Sequence, residues 1–206
     1  MGKLFGTDGV RGVVNLELTP RLAYDLGRAI GTFFEGGDVL VGRDARVSGE
    51  MVRRYVMAGL MDSGVRVYYS GLAPTPTHQY AVRHYGLDGG VIVTASHNPP
   101  EFNGIKVVGP MGVEVSRQDE GRIEEIYFSR RYSTGRGGFE GSLDPVGPYV
   151  EAIINKVDID EIKEKRFKIV VDPASSVGVI VAKILDQLDV SYVVINGQLD
   201  GRFPSR

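Results

Sequence analysis

Apolar residues recur at every fourth position through Leu22, Leu26, Ile30 and Phe34, directly after Thr19-Pro20. That spacing predicts a helix with one buried stripe, capped by Thr19 and opened by proline at its first position. Gly36-Gly37 stops it, and the short apolar run Val39-Leu40-Val41 reads as a buried strand feeding the loop Gly42-Arg43-Asp44. Val52, Val56 and Leu60 predict a second helix, with Ser48 as its cap and Ser63-Gly64 as its end. Val65 to Tyr69 reads as a strand, so the first unit is strand, helix, strand.

Thr75-Pro76 restarts a helix that runs to about Tyr85, followed by a strand over Gly90 to Val93. Two further strands are predicted at Ile105 to Val108 and Val113 to Val115, joined by Gly109-Pro110-Met111-Gly112. Ser116 and Asp119 form a capping box for a helix carrying Ile123, Ile126 and Tyr127. Residues 129–148 shift to Ser, Arg, Gly and Pro, the composition of a surface connection, and the domain boundary is placed there. Beyond it come a helix over Tyr149 to Val157, a strand at Lys168 to Val171, a helix near Val179 to Leu188 and a strand at Val190 to Ile195. The expected fold class is α/β, a mixed, mainly parallel sheet sandwiched by helices, with the start of a second similar domain. The expected units are residues 1–146 and an incomplete 147–206.

Composition narrows the function classes. With 42% hydrophobic residues the chain can build a real core, and 24% charged residues with a net charge of −2 leave no basic face for a nucleic acid. Cysteine is absent, which removes disulfides and thiolate chemistry and fits a cytoplasmic address. The amino-terminal residues lack a signal core, Gly6 stands where myristoylation wants Ser or Thr, and no apolar run reaches the roughly 20 residues needed to span a bilayer. The expectation is a soluble protein without a membrane partner.

Four polar loops fall at predicted strand ends or turns: Gly6 to Gly12, Gly42-Arg43-Asp44, Thr94 to Pro99, and Asn103-Gly104-Ile105-Lys106. Glycines there allow close backbone approach, and Arg and Lys supply the charge that binds phosphate. Taken singly, each is as well explained by ordinary turns. The Ser96 loop differs, because a hydroxyl follows a buried strand and is trailed by His97, Asn98, two prolines and Lys106. Adjacent residues on an extended chain point apart, so His97 is not expected to couple with Ser96, and the Gly-x-Ser-x-Gly elbow of hydrolases is missing. His78 and His84 are assigned packing or surface roles. The P-loop and Rossmann glycine patterns are absent, and three scattered histidines make no zinc site.

The chain resembles the α-D-phosphohexomutases, chiefly the branch of phosphoglucosamine mutases and archaeal phosphomannomutase/phosphoglucomutase enzymes. The resemblance rests on Phe5-Gly6-Thr7-Asp8-Gly9-Val10-Arg11-Gly12, on Gly42-Arg43-Asp44-Ala45-Arg46, and on Thr94-Ala95-Ser96-His97-Asn98-Pro99-Pro100 with Asn103 to Lys106. It continues through Val171-Asp172-Pro173 to Asp200-Gly201-Arg202-Phe203-Pro204. It implies that Ser96 carries a phosphoryl group exchanged with the 1- and 6-positions of a hexose or hexosamine phosphate, through a hexose bisphosphate. Ser96, His97, Lys106 and Arg11 would be catalytic. Thr7, Asn98, Arg43 and Asn103 would bind substrate or phosphate. A phosphoserine oxygen on Ser96 would be a ligand of Mg²⁺.

The same resemblance sets expectations about what the chain lacks. The aspartate-rich metal loop and the later sugar- and phosphate-reading loops are not among these residues, so Mg²⁺ is expected to bind weakly or not at all. The chain is expected to be a truncated portion with little mutase activity. The alternative is a non-catalytic domain that binds sugar phosphates or a partner. An incomplete second domain would expose strand edges, so a homodimer is expected. The sugar is left open among glucose, mannose and glucosamine phosphates, with the Phe5 to Gly12 run leaning toward glucosamine.

Overall fold

The structure, a computed structural model, describes residues 4–205. Its elements in chain order are β1 (Val10–Val13), α1 (Pro20–Phe33), β2 (Asp38–Arg43), α2 (Gly49–Asp62), β3 (Arg66–Leu72), α3 (Thr75–His84), β4 (Gly89–Val93) and β5 (Phe102–Val108). They continue with α4 (Arg117–Ser129), β6 (Gly138–Ser142), α5 (Val146–Ile154), α6 (Ile159–Glu164), β7 (Lys168–Val171), a 3₁₀ turn (Val177–Ile180), α7 (Val181–Gln187) and β8 (Ser191–Val194).

Six strands form one mixed sheet in the order β1-β5-β4-β2-β3-β6. The β4-β2, β2-β3 and β3-β6 pairs are parallel, whereas β5 runs antiparallel to both of its neighbours. Successive strand residues face opposite sides. Val39, Val41, Val91, Val93, Ile105 and Val107 therefore pack with Leu26, Ile30, Val52, Val56, Leu60 and Ile123 of α1, α2 and α4. On the other face Leu40, Ile92 and Val108 pack with Ala81 and Val82 of α3. Both faces are covered, which is why the central strands read as unbroken apolar runs.

Residues after β6 have a separate small core, in which Leu185, Leu188 and Val190 meet Ile154, Ile159, Ile162 and Ile169. Its two strands, β7 and β8, pair in parallel. Among the described residues no helix is long and apolar enough to cross a membrane.

Local signals explain most element ends. Thr19 Oγ1 accepts from the Leu22 amide at 3.1 Å, and Ser116 Oγ accepts from the Asp119 amide at 3.2 Å. Ser48 departs from its expected role: it stands before α2 in αR geometry without capping it, and its hydroxyl instead accepts from Asn103 Nδ2 at 2.9 Å. The strand expected at Val113 to Val115 is only an isolated bridge between Val108 and Glu114. The turn at Gly109 to Gly112 and the Ser116 cap leave too few residues between them for a ladder.

Three elements have no clear signal in the local sequence. β1 lies within a glycine-rich stretch that reads as a loop, and it is a strand because it pairs with β5. β6 is an edge strand, Gly-Phe-Glu-Gly-Ser, inside the stretch read as a connection, and its pairing with β3 is interrupted by a register shift. α6 is six residues long, with Asp158 Oδ1 accepting from the Glu161 amide at 3.0 Å.

Candidate active site

The sheet register brings the polar loops together. Arg43 is opposite Val93, Val93 opposite Ile105, and Ile105 opposite Val10, so one line across four strands carries the ends of all four loops. This line lies at the carboxyl ends of parallel strands β2 and β4, where open α/β sheets place their ligand loops.

Ser96 is exposed at the tip of the loop after β4, with φ of +53°. That left-handed conformation is uncommon for a non-glycine residue and must be held by its surroundings. The Ser96 amide donates to Thr94 Oγ1 at 3.1 Å, and the Thr94 hydroxyl donates to Asp44 Oδ2 at 2.6 Å. Turns close the loop through Asn98 N to Ala95 O at 3.0 Å and Phe102 N to Pro99 O at 3.1 Å. The bend at Ser96 has a consequence that an extended chain would not allow. It swings Ser96 Oγ to 3.4 Å from His97 Nδ1, the long end of hydrogen-bond range.

Two cations reach the site from β1 and β5. Arg11 donates to Asn98 Oδ1 at 3.3 Å and is ion-paired with Asp8. Lys106, almost buried, is ion-paired with Asp8 as well and with Glu114 at 2.9 Å. Burial alone would raise the Asp8 carboxyl. The Lys106 hydrogen bond and the charges of Lys106 and Arg11 outweigh it and hold Asp8 below the usual carboxylate range. Asp8 thus fixes both cations in place while neutralising part of their charge.

The remaining expected residues lie in different settings. Thr7 is exposed, and its carbonyl accepts from Arg117 at 2.9 Å, which clips the amino-terminal loop to α4. Arg43 turns toward α2, with Tyr69 Oη at 3.2 Å and Glu50 at 3.4 Å. Asn103 is wholly buried, its amide spent on Ser48 and on the Gly104 amide at 2.8 Å. His84 is exposed and stacked near Tyr80 with 5.8 Å between ring centroids, whereas His78 is completely buried.

Asp8, Asp44, Arg46, Glu114 and Arg117 are further residues of the site that the sequence pattern alone does not single out. Asp8, Asp44 and Arg46 stand inside the glycine-rich motifs, where a charged residue beside a strand end is the available signal. Nothing local marks Glu114 or Arg117: Glu114 meets Lys106 only because the chain turns back between them, and Arg117 reaches the carbonyls of Gly6 and Thr7 at the far end of the domain.

The described residues do not assemble a metal site. No group of three or more His, Asp or Glu converges among them, and Asp8 and Glu114 both face the Lys106 ammonium. The only metal ligand expected of this chain is an oxygen on Ser96, so no chemical step here is routed through Mg²⁺.

The arrangement, an exposed serine on a braced loop after a parallel strand with two cations from adjoining strands, suits phosphoryl chemistry. The sequence matches phosphoglucomutase/phosphomannomutase alpha/beta/alpha domain I over residues 2–133 and domain II of the same family over residues 147–206. The chain belongs to the α-D-phosphohexomutase family. It is 47% identical to the phosphoglucosamine/phosphogalactosamine mutase of Sulfurisphaera tokodaii, over all of this chain and 47% of that protein. It is 44% identical to the phosphoglucomutase/phosphomannomutase of Thermococcus kodakarensis, again over the whole chain and 47% of the relative. The crystal structure of a phosphoglucomutase/phosphomannomutase family protein from Burkholderia thailandensis superposes with a TM-score of 0.86 at 30% identity, covering 98% of this chain and 45% of that one. This phosphohexomutase chain therefore spans about half the length of the curated relatives it matches. Its lineage is that of isomerase-class phosphohexomutases.

Proposed function

We propose that Ser96 is the phosphoryl carrier of a phosphohexomutase, exchanging a phosphoryl group with the 1- and 6-positions of a hexose or hexosamine phosphate by way of the bisphosphate. The observation that carries this reading is the exposed Ser96 hydroxyl on a loop braced from below, with Arg11 bonded to Asn98 of that loop and Asp8 pairing Arg11 with Lys106. When a sugar bisphosphate phosphorylates the enzyme, Ser96 Oγ bonds to phosphorus and the bond from phosphorus to the sugar oxygen breaks. His97, whose Nδ1 is 3.4 Å from Ser96 Oγ, is assigned as the base that takes the serine proton and returns it to the departing sugar oxygen. Arg11 and Lys106 neutralise the phosphoryl oxygens, since such reactions depend on positioning and charge more than on a strong nucleophile. The reverse step onto the other sugar oxygen regenerates free Ser96.

Residues 1–146 are assigned to the serine-bearing domain and 147–206 to the second. Mg²⁺ and the sugar bisphosphate are proposed as cofactor and intermediate of the mutase reaction, and a small sugar phosphate as its partner.

The test is intact mass after incubation with glucose 1,6-bisphosphate, mannose 1,6-bisphosphate or glucosamine 1,6-bisphosphate, followed by peptide mapping. One phosphoryl group on Ser96, absent from Ser96→Ala, is expected. Equal labelling of Ser96→Ala, or no labelling of Ser96 with any donor, would overturn the assignment.

A further inference from the structure

Arg46 has an unusual set of partners for a residue outside the proposed chemistry. Its side chain is fully buried, and all five guanidinium N–H donors are used. Nε donates to Asp44 Oδ2 at 3.2 Å. Nη1 donates to the carbonyls of Pro99 at 2.7 Å and Phe102 at 2.8 Å, and Nη2 to those of Ser96 at 3.0 Å and Asn98 at 2.7 Å. One planar fork therefore gathers four backbone carbonyls of the serine loop. Asp44, which also accepts from Thr94, locks the fork in orientation.

The face of that guanidinium is covered from the other end of the chain. The Phe203 ring, itself 5% exposed, has its centroid 5.1 Å from Arg46 Cζ. Gly201 is buried against the loop that carries Arg46, and a Cβ there would collide with the Ala45 carbonyl. The segment is tied to the β7-β8 unit through Asp200 N to Ser175 O at 2.9 Å, and it is turned inward by Phe203 N to Asp200 O at 2.9 Å. A ring over a guanidinium excludes water from it, and hydrogen bonds in such a drier setting are stronger.

We propose that Arg46 is the positioning residue for Ser96, and that the 200–203 segment, through Phe203, is the clamp that holds Arg46 in this role. The second unit thereby sets the conformation of the serine in the first. This inference rests on the reading of Ser96 as phosphoryl carrier, although the brace can be measured without it.

The experiment uses the 206-residue protein and its Phe203→Ala, Phe203→Tyr, Arg46→Lys and Arg46→Lys/Phe203→Ala variants. Amide hydrogen exchange is followed by mass spectrometry in peptides covering residues 94–104 and, as control, in α1 and α2. Loss of a cation–π cover should speed exchange in 94–104 by roughly threefold to thirtyfold in Phe203→Ala, leave the control peptides unchanged, and be reversed in Phe203→Tyr. Arg46→Lys should accelerate the same peptide further, since an ammonium cannot span four carbonyls. Adding Phe203→Ala to Arg46→Lys should then do nothing more, because the ring acts only through the guanidinium. Exchange in 94–104 unchanged by Phe203→Ala, or additive effects in the double variant, overturns the clamp. Uniform acceleration across all peptides overturns it too, since the ring would then serve only general stability. Intact mass with the sugar bisphosphates separates the two claims. Absence of phosphate on wild-type Ser96 sinks the carrier reading, whereas a slower uptake in Phe203→Ala restored in Phe203→Tyr supports the clamp.

Discussion

His78 gives the protein a titration whose energetic effect can be worked out in advance. It is completely buried on α3, where Nδ1 is 2.9 Å from Ser70 Oγ and Nε2 is 3.4 Å from the Arg43 carbonyl. Burial pushes its pKa from 6.5 down to about 4, with the carbonyls of Arg43 and Ala73 opposing only part of that shift. Below pH 6.5 the unfolded chain takes up a proton that the folded chain refuses. Stability is therefore full above pH 6.5, declines as the pH falls, and reaches its floor below about pH 4. At about 1.4 kcal/mol per pH unit the whole loss is about 3 kcal/mol, of which about 2–3 kcal/mol falls between pH 6.5 and 4.5. The lowered carboxylates act at lower pH. Glu50, held at about 2 by its Arg53 hydrogen bond against burial and with help from Arg54 and Arg43, loses its contribution only below about 4.5, and Asp8 only below its ordinary 3.8. Urea unfolding followed by circular dichroism at pH 6.5, 5.5 and 4.5 measures the slope in wild type and in His78→Asn, which does not titrate. The variant should be less stable at pH 7 but nearly flat across the window. Equal slopes in the two proteins would refute the reasoning.

Two other perturbations test packing and charge. The α1-α2 crossing brings backbones together at Gly27 and Gly59, where a Cβ on Gly27 would overlap the Val56 carbonyl and lie 3.2 Å from Gly59 Cα. Gly27→Ala should cost about 1–3 kcal/mol, despite the better helix propensity of alanine, and a thermal melt reads it directly. Lys106→Met should slow phosphoryl uptake on Ser96 by about a hundredfold, because one preorganised cation is lost from the transferring group. The rate by intact mass checks this, and uptake within threefold of wild type would remove Lys106 from the chemistry.

Apolar periodicity placed α1, α2 and the central strands β2 to β5, and start signals placed α3 and α4, because a stripe, a short apolar run and a cap are all local properties of the chain. The Thr19 and Ser116 caps were legible for the same reason, since the donor and acceptor lie three residues apart. The serine loop and its motif residues could be named from the chain alone, as could the family. What the sequence left open depends on residues far apart. β1 and β6 exist by pairing with β5 and β3, not by their own propensity. Ser48 looks like a cap until Asn103 claims its hydroxyl. Ser96 and His97 point apart on an extended chain, and only a left-handed φ, held by a guanidinium 50 residues away in sequence, brings them near. Hydrophobic pattern is written locally and survives as sequence, whereas the direction of a polar side chain is chosen by whichever distant partner satisfies it after burial. The sequence by itself thus determined the layers of this phosphohexomutase-family chain and singled out Ser96 as the serine to propose. The tertiary structure alone decided which charges surround that serine and what keeps it in place.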